Sequence, residues 1–312
     1  MQSRLSPRQT GNPFNMSTER SAADWGLFLL LSACWASAFA MTKVAVDGLP
    51  ASLIIPGRLI SAAVILWVVM LVRGERLPPF SDRASWLAIL GMGTVGTAVP
   101  FYVITLGQKS IDSSLAALLI SAAPLFTAVL AHLRFEDERI TQTKVVGLVV
   151  GFAGVALLLG PDALSGFDVQ LGAQLFVLVG AFCYAVNSII ARGAPRLPPI
   201  VLPVGFLSVA AISSLPMIAI TDWNEVSAGT PQLLCVLGLG AISTAFAGIL
   251  LMHLVARTSA TFIALTGYVI PVMSAVLGYF LFRETQSWNA LAAFLLILAG
   301  VWLSQRRARR AR

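Results

Sequence analysis

Ten long apolar runs, each closed by a short polar cluster, organise this chain: residues 25–42, 52–72, 85–106, 113–133, 145–160, 171–191, 200–221, 233–256, 260–282 and 288–304. About 20 apolar residues rising about 1.5 Å each are enough to cross a hydrocarbon core of roughly 30 Å. The pattern therefore predicts an all-α membrane protein with ten transmembrane helices. The first run has no small-residue cleavage signature, since Trp35, Phe39 and Lys43 occupy the window where one would fall, so it reads as a retained helix. Residues 1–23 are polar and rich in Ser, Pro, Asn and Gln, which predicts a disordered cytoplasmic tail.

Composition agrees. The 312 residues are 57% hydrophobic and 11% charged, against about 45–50% and about 25% in soluble domains. So few charges cannot cover a water-facing exterior of this size, and a lipid bilayer is the expected partner. The net charge of +7 would suggest nucleic acid on a soluble protein. Here the basic residues sit in loops and in the tail at 305–312, so no nucleic-acid partner is expected. Counting Lys and Arg in alternate loops places seventeen on the side of the chain ends and three, Lys43, Lys109 and Arg283, on the other. By the positive-inside rule both termini are cytoplasmic. Cys34, Cys183 and Cys235 lie inside apolar runs and read as packing residues, without a disulfide framework or a paired-cysteine zinc site. No metal and no cofactor is expected.

Sliding the chain by 147 positions aligns residues 91–130 with 238–277 without a gap. The matches include Gly91/Gly238, Gly93/Gly240, Thr97/Thr244, Pro124/Pro271 and Ala128-Val129-Leu130/Ala275-Val276-Leu277. Glu138 to Gly154 and Glu284 to Gly300 share a spacing, and Trp35-Ala36 pairs with Tyr184-Ala185 at a shift of 149. Units at 24–160 and 168–304 each hold five runs. Five is odd, so the second unit enters the membrane from the opposite side, as an inverted repeat with a binding site near the midplane.

At these residues the chain resembles the drug/metabolite transporter superfamily, in particular its ten-helix members built from two EamA-type units. The likeness rests on Cys34-Trp35-Ala36-Ser37-Ala38-Phe39, on Arg58, on the stretch from Pro124 to Leu130, on Glu138-Arg139 with Gly147 and Gly154, and on Pro271, Glu284 and Gly300. The second unit departs from the first in having Tyr184 for Trp35 and Phe206 for Arg58. The resemblance implies export of small metabolites across a bacterial inner membrane. Within the superfamily the composition looks most like the aromatic amino-acid exporters, with threonine, homoserine, cysteine derivatives and amphipathic drugs left open.

The candidate chemistry is sparse. All 14 acidic residues fall in loops, tails or run ends, so no carboxylate relay is evident where one would mark proton coupling. No phosphate loop is present, which argues against ATP hydrolysis. Arg58 either attracts a substrate carboxylate or, the favoured reading, snorkels to the outer interface or pairs with an acid such as Glu284. Glu138 and Glu284 are gate residues or, the favoured reading, caps for the helix that follows each. His132 and His253 read as interfacial. Pro124 and Pro271 predict mid-helix kinks whose freed carbonyls mark the site. Trp35, Ser37, Phe39, Tyr102, Tyr184, Asn187, Thr244 and Tyr268 form the candidate lining of an amphipathic cavity. Gly147 and Gly151 predict a close helix contact within one monomer.

A secondary transporter for a small-molecule substrate, neutral or zwitterionic, working by alternating access as a monomer, fits this set. A membrane-embedded enzyme would need span acids or a nucleophile pair that the runs lack. A sensor would add a soluble output domain.

Overall fold

The structure is a computed structural model. It describes residues 21–136, 138, 141–160 and 168–305, apart from the side chains of 260 and 261. Most of both predicted tails, and Arg139, lie outside the described residues. Among them ten helices are long and apolar enough to cross a membrane: α1 (Ala22–Val46), α2 (Ala51–Val72), α3 (Arg83–Gly107), α4 (Ser113–Arg134), α5 (Gln142–Leu159), α6 (Val169–Gly193), α7 (Val201–Ala219), α8 (Thr230–Arg257), α9 (Phe262–Phe282) and α10 (Trp288–Gln305).

The first helix differs from expectation at both ends. It starts at Ala22 because Ser21 and Asp24 close a capping box, each side chain meeting the other's backbone N–H. It continues past Lys43 to Val46 because Asp112 and Glu284 both meet the lysine ammonium, which removes the reason to end the run there.

The helix pairs follow a two-fold rule. Contact of α1 with α8 is matched by α6 with α3, α1 with α9 by α6 with α4, and α2 with α8 by α7 with α3, while α2–α7, α4–α9 and α5–α10 pair across the repeat. Close approach depends on small residues at matching places. A Cβ on Gly93 would stand 2.6 Å from the Phe206 carbonyl oxygen, and one on Gly240 would stand 2.6 Å from that of Arg58. In α5–α10, a Cβ on Gly300 would overlap the Cα of Gly151, and one on Gly147 would meet Ser304 N at 2.6 Å. The glycine pair in α5 thus serves contact within the monomer.

Both units also carry the same helical irregularity. α3 widens to a π-helical turn over Thr94–Ala98, and α8 does so over Ala241–Phe246. In each, a threonine hydroxyl reaches back five residues, Thr97 to the Met92 carbonyl and Thr244 to the Leu239 carbonyl, both at 2.8 Å. Such turns inside regular helices are frequent at functional positions.

The prolines behave unequally. Helix α4 is broken between Ser113–Ile120 and Ala123–Arg134, and Pro124 stands in the first turn of the second segment, where a missing N–H costs nothing. The expected mid-helix kink at Pro124 is therefore a restart. Pro271 does lie inside its helical segment, Thr266–Phe282.

Candidate functional site

Arg58 lies on α2, seven residues from its start, and is 9% exposed. It neither snorkels nor pairs with Glu284. Its Nε donates to Thr244 Oγ1 at 3.0 Å, and its guanidinium carbon sits 3.7 Å from the centroid of the Phe101 ring. The Tyr184 hydroxyl is within electrostatic reach. No carboxylate pairs with it among the described residues. Four helices thus converge on one cation: α2 supplies Arg58, α3 the ring beneath it, α6 the phenol, and the π turn of α8 the acceptor.

The two glutamates sit in ion-pair interlocks at opposite ends of the bundle. On the face away from the chain ends, Glu284 Oε1 takes Lys43 Nζ at 2.8 Å, and the same ammonium meets Asp112 Oδ1 at 2.7 Å. Glu284 also accepts the backbone N–H groups of Ser113 (3.0 Å) and Ser114 (3.1 Å) and both their hydroxyls. It therefore caps the start of α4 in the other unit. The expected cap of the following helix is corrected: Ser287 Oγ takes that place for α10, accepting from Ala290 N at 3.1 Å.

Local backbone geometry aims this carboxylate. Helix α9 ends with Arg283 in the left-handed region (φ 59°), and Glu284 N bonds back to Gly278 O at 3.2 Å. Gly278 then leaves room for the carboxylate, since a Cβ there would overlap Glu284 Oε2. Burial alone pushes the Glu284 carboxyl up, but the hydrogen bonds from Lys43, Ser114 and the backbone of Ser113 outweigh it and hold it at about 2.

On the face of the chain ends, Glu138 meets Lys144 Nζ at 3.0 Å and Arg192 Nη1 at 3.0 Å. The hydrogen bond from Lys144 leads in lowering its carboxyl below the usual range, burial opposes, and Arg192 adds to the lowering. Thr141, not Glu138, caps α5, through Lys144 N at 3.3 Å. The shift of 149 that aligns Trp35 with Tyr184 places Lys43 on Arg192, so the two interlocks are repeat equivalents. They differ in closure: the Glu284 side chain is 2% exposed and that of Glu138 37%. A cleft of about 290 Å³ beside Arg134, Phe135 and Gly193 adjoins the more open one.

The remaining aromatic candidates are dispersed among separate packing clusters. Trp35 packs against the cluster that contains Phe28, Leu250 and Phe262, Phe39 and Tyr268 against the one that contains Leu125 and Phe294, and Tyr102 against the one that contains Leu59 and Leu207. Ser37 Oγ donates to Cys34 O at 2.9 Å and lies 3.4 Å from Ser243 Oγ, which belongs to the α8 π turn. Asn187 sits against Gly96 in the α3 π turn, and its Oδ1, like the Tyr268 hydroxyl, is buried without a partner among the described residues. His132 and His253 are exposed near helix ends. Sequence reasoning did not select Phe101, Lys43, Asp112, Ser113, Ser114 or Arg192 as site residues. The 149 shift carried the signal for Lys43 and Arg192. Phe101 gave none.

The comparisons with known proteins agree with this architecture. Residues 25–160 and 171–305 each match the model of the EamA-like transporter family. An uncharacterized inner membrane transporter of Escherichia coli (strain K12), YedA, is 26% identical over 90% of this chain and 91% of its own length. A probable terminal-alkyne amino-acid exporter of Streptantibioticus cattleyicolor is 26% identical over 92% and 94%. An S-adenosylmethionine/S-adenosylhomocysteine transporter of Chlamydia trachomatis is 24% identical over 85% and 84%. One solved crystal structure shares the fold at a TM-score of 0.64 and 20% identity, covering 92% of this chain and 97% of the other. Two matched repeats over ten apolar helices make this a multi-pass membrane protein, and the chain belongs to the EamA-like transporter family.

Proposed function

We propose that the chain exports small neutral or zwitterionic metabolites, amino acids foremost and aromatic ones among them, from the bacterial cytoplasm. It does so as a monomer in the inner membrane, with both chain ends on the cytoplasmic side. The observation that carries the transport cycle is the equivalence of the Lys43–Glu284 and Arg192–Glu138 interlocks at opposite faces. When the two units rock about the midplane, one interlock parts as the other tightens. The ion-pair energy lost at one face is offset at the other, so neither state is a deep trap. The seventeen basic residues on one side support the orientation. The names of two relatives support the cargo, because an alkyne amino acid, S-adenosylmethionine and S-adenosylhomocysteine share an α-amino-acid head.

The acids of the helices lie at their ends, Asp24 in the first turn of α1 among them. Proton relay along the spans therefore has no carboxylate to use, and the solute gradient is the driving force we propose. Counterflow of radiolabelled amino acids in proteoliposomes tests this. Exchange that is stimulated by internal substrate and indifferent to a pH gradient is expected. Absence of exchange for all twenty amino acids overturns the cargo, and exchange that requires a pH gradient overturns the driving force.

A further inference from the structure

The repeat supplies an internal control for Arg58. Both π turns form, and both close the same threonine hydrogen bond, yet the place of Arg58 in the second unit is held by Phe206 and the place of Phe101 by Gly248. The α3 turn thus assembles with no cation on Thr97 and no ring platform. Building a π turn does not require the arginine. Its burial on α2 must have another reason, because a cation inside a span is costly to insert and is rare where it has no function.

The cluster leaves the cation only partly satisfied. Thr244 takes Nε, the Phe101 ring covers one face of the guanidinium, and no described carboxylate neutralises it. The two terminal nitrogens, the pair that grips a carboxylate side-on, make no hydrogen bond to any described residue. A fixed, ring-stacked guanidinium whose terminal nitrogens are uncommitted is a receptor for a small planar anion.

We infer that Arg58 receives the carboxylate of the transported solute, with Thr244 and Phe101 as positioning residues. This rests on the reading of the chain as an amino-acid exporter and narrows it: the cargo carries a carboxylate, and amines or alcohols of the same size are rejected. The asymmetry between the units is then functional, since one carboxylate needs one cation and a second at Phe206 would leave a charge unpaired.

The test uses the full chain in proteoliposomes and in detergent. In proteoliposomes, wild type should exchange L-phenylalanine, while phenethylamine and phenylalaninol compete at least tenfold less well. Arg58→Gln should weaken half-saturation by about 30-fold or more, the scale of a lost charged hydrogen-bond pair, and Arg58→Lys by less. In detergent, L-phenylalanine and 3-phenylpropionate should raise the melting temperature of wild type and not of Arg58→Gln. Thr97→Val serves as the control for loss of the threonine bond alone and should keep wild-type affinity, whereas Thr244→Val should not. Equal competition by phenylalaninol overturns the inference without touching the exporter reading. If no amino acid exchanges but carboxylates still stabilise wild type and not Arg58→Gln, the exporter reading falls and the carboxylate site stands. If no carboxylate shifts the melting temperature of wild type, the site falls.

Discussion

The backbone N–H of Ser113 donates to Glu284 Oε1 at 3.0 Å, although 171 residues separate them. An anion at a helix N-terminus meets unsatisfied N–H groups and the positive end of the helix dipole together, so the second unit holds the start of α4 in the first. Glu284→Gln keeps the shape but removes the charge from a group met by Lys43, Ser113 and Ser114. The variant should lose about 1.5–3 kcal/mol, as for hydrogen bonds to a charged group. Denaturant or thermal melting in detergent measures it, and a melting curve identical to wild type would contradict the capping role.

The same carboxylate gives stability a defined pH dependence. Its folded value of about 2 lies below the ordinary 4.5, so its contribution is complete above about 4.5 and is lost as pH falls towards 2. Glu138, also lowered, acts in the same direction. The melting temperature of wild type should be level above pH 5.5 and fall below 4.5, with a shallower fall in Glu284→Gln. Parallel curves for the two proteins would argue against this ionisation.

Reversing the pair should fail. In Lys43→Glu with Glu284→Lys the ion pair is restored on paper, but a lysine at 284 has nothing to accept the N–H groups of Ser113 and Ser114, and a glutamate at 43 faces Asp112. Transport by the double variant should remain as low as that of the weaker single variant. Recovery to wild-type rates would mean that charge pairing alone matters.

Arg283 adopts a left-handed backbone that costs a non-glycine residue roughly 1 kcal/mol. Arg283→Gly should therefore raise stability by about 0.5–1 kcal/mol while leaving the Glu284 turn intact. A lower melting temperature would show that the arginine side chain contributes more than its backbone costs.

Helices and their doubling were legible because both are periodic. Apolar runs long enough to cross a bilayer, and Pro124, Pro271, Glu138 and Glu284 at matching spacings, survive in sequence as one-dimensional signals. The cap on α4 is not of that kind: Glu284 finds Ser113 only through the α4–α9 contact, and sequence distance hides it. Arg58 was visible as the single basic residue well inside a run, but its surroundings were not, since Phe101 and Thr244 come from two further helices. The grouping of the aromatic candidates was hidden for a related reason. Trp35, Phe39, Tyr102 and Tyr268 share a residue class, and residue class does not say which helix face meets which neighbour.

In the proposed cycle the two equivalent interlocks alternate. Pulsed electron spin resonance, on a chain with Cys34, Cys183 and Cys235 replaced by alanine, measures it through two label pairs. Asp47 with Thr285 straddles the Glu284 interlock, and Glu136 with Arg196 straddles that of Glu138. Glu284→Gln should lengthen the first distance and shorten the second in the same sample. Two distances that stay fixed, or that lengthen together, would contradict it.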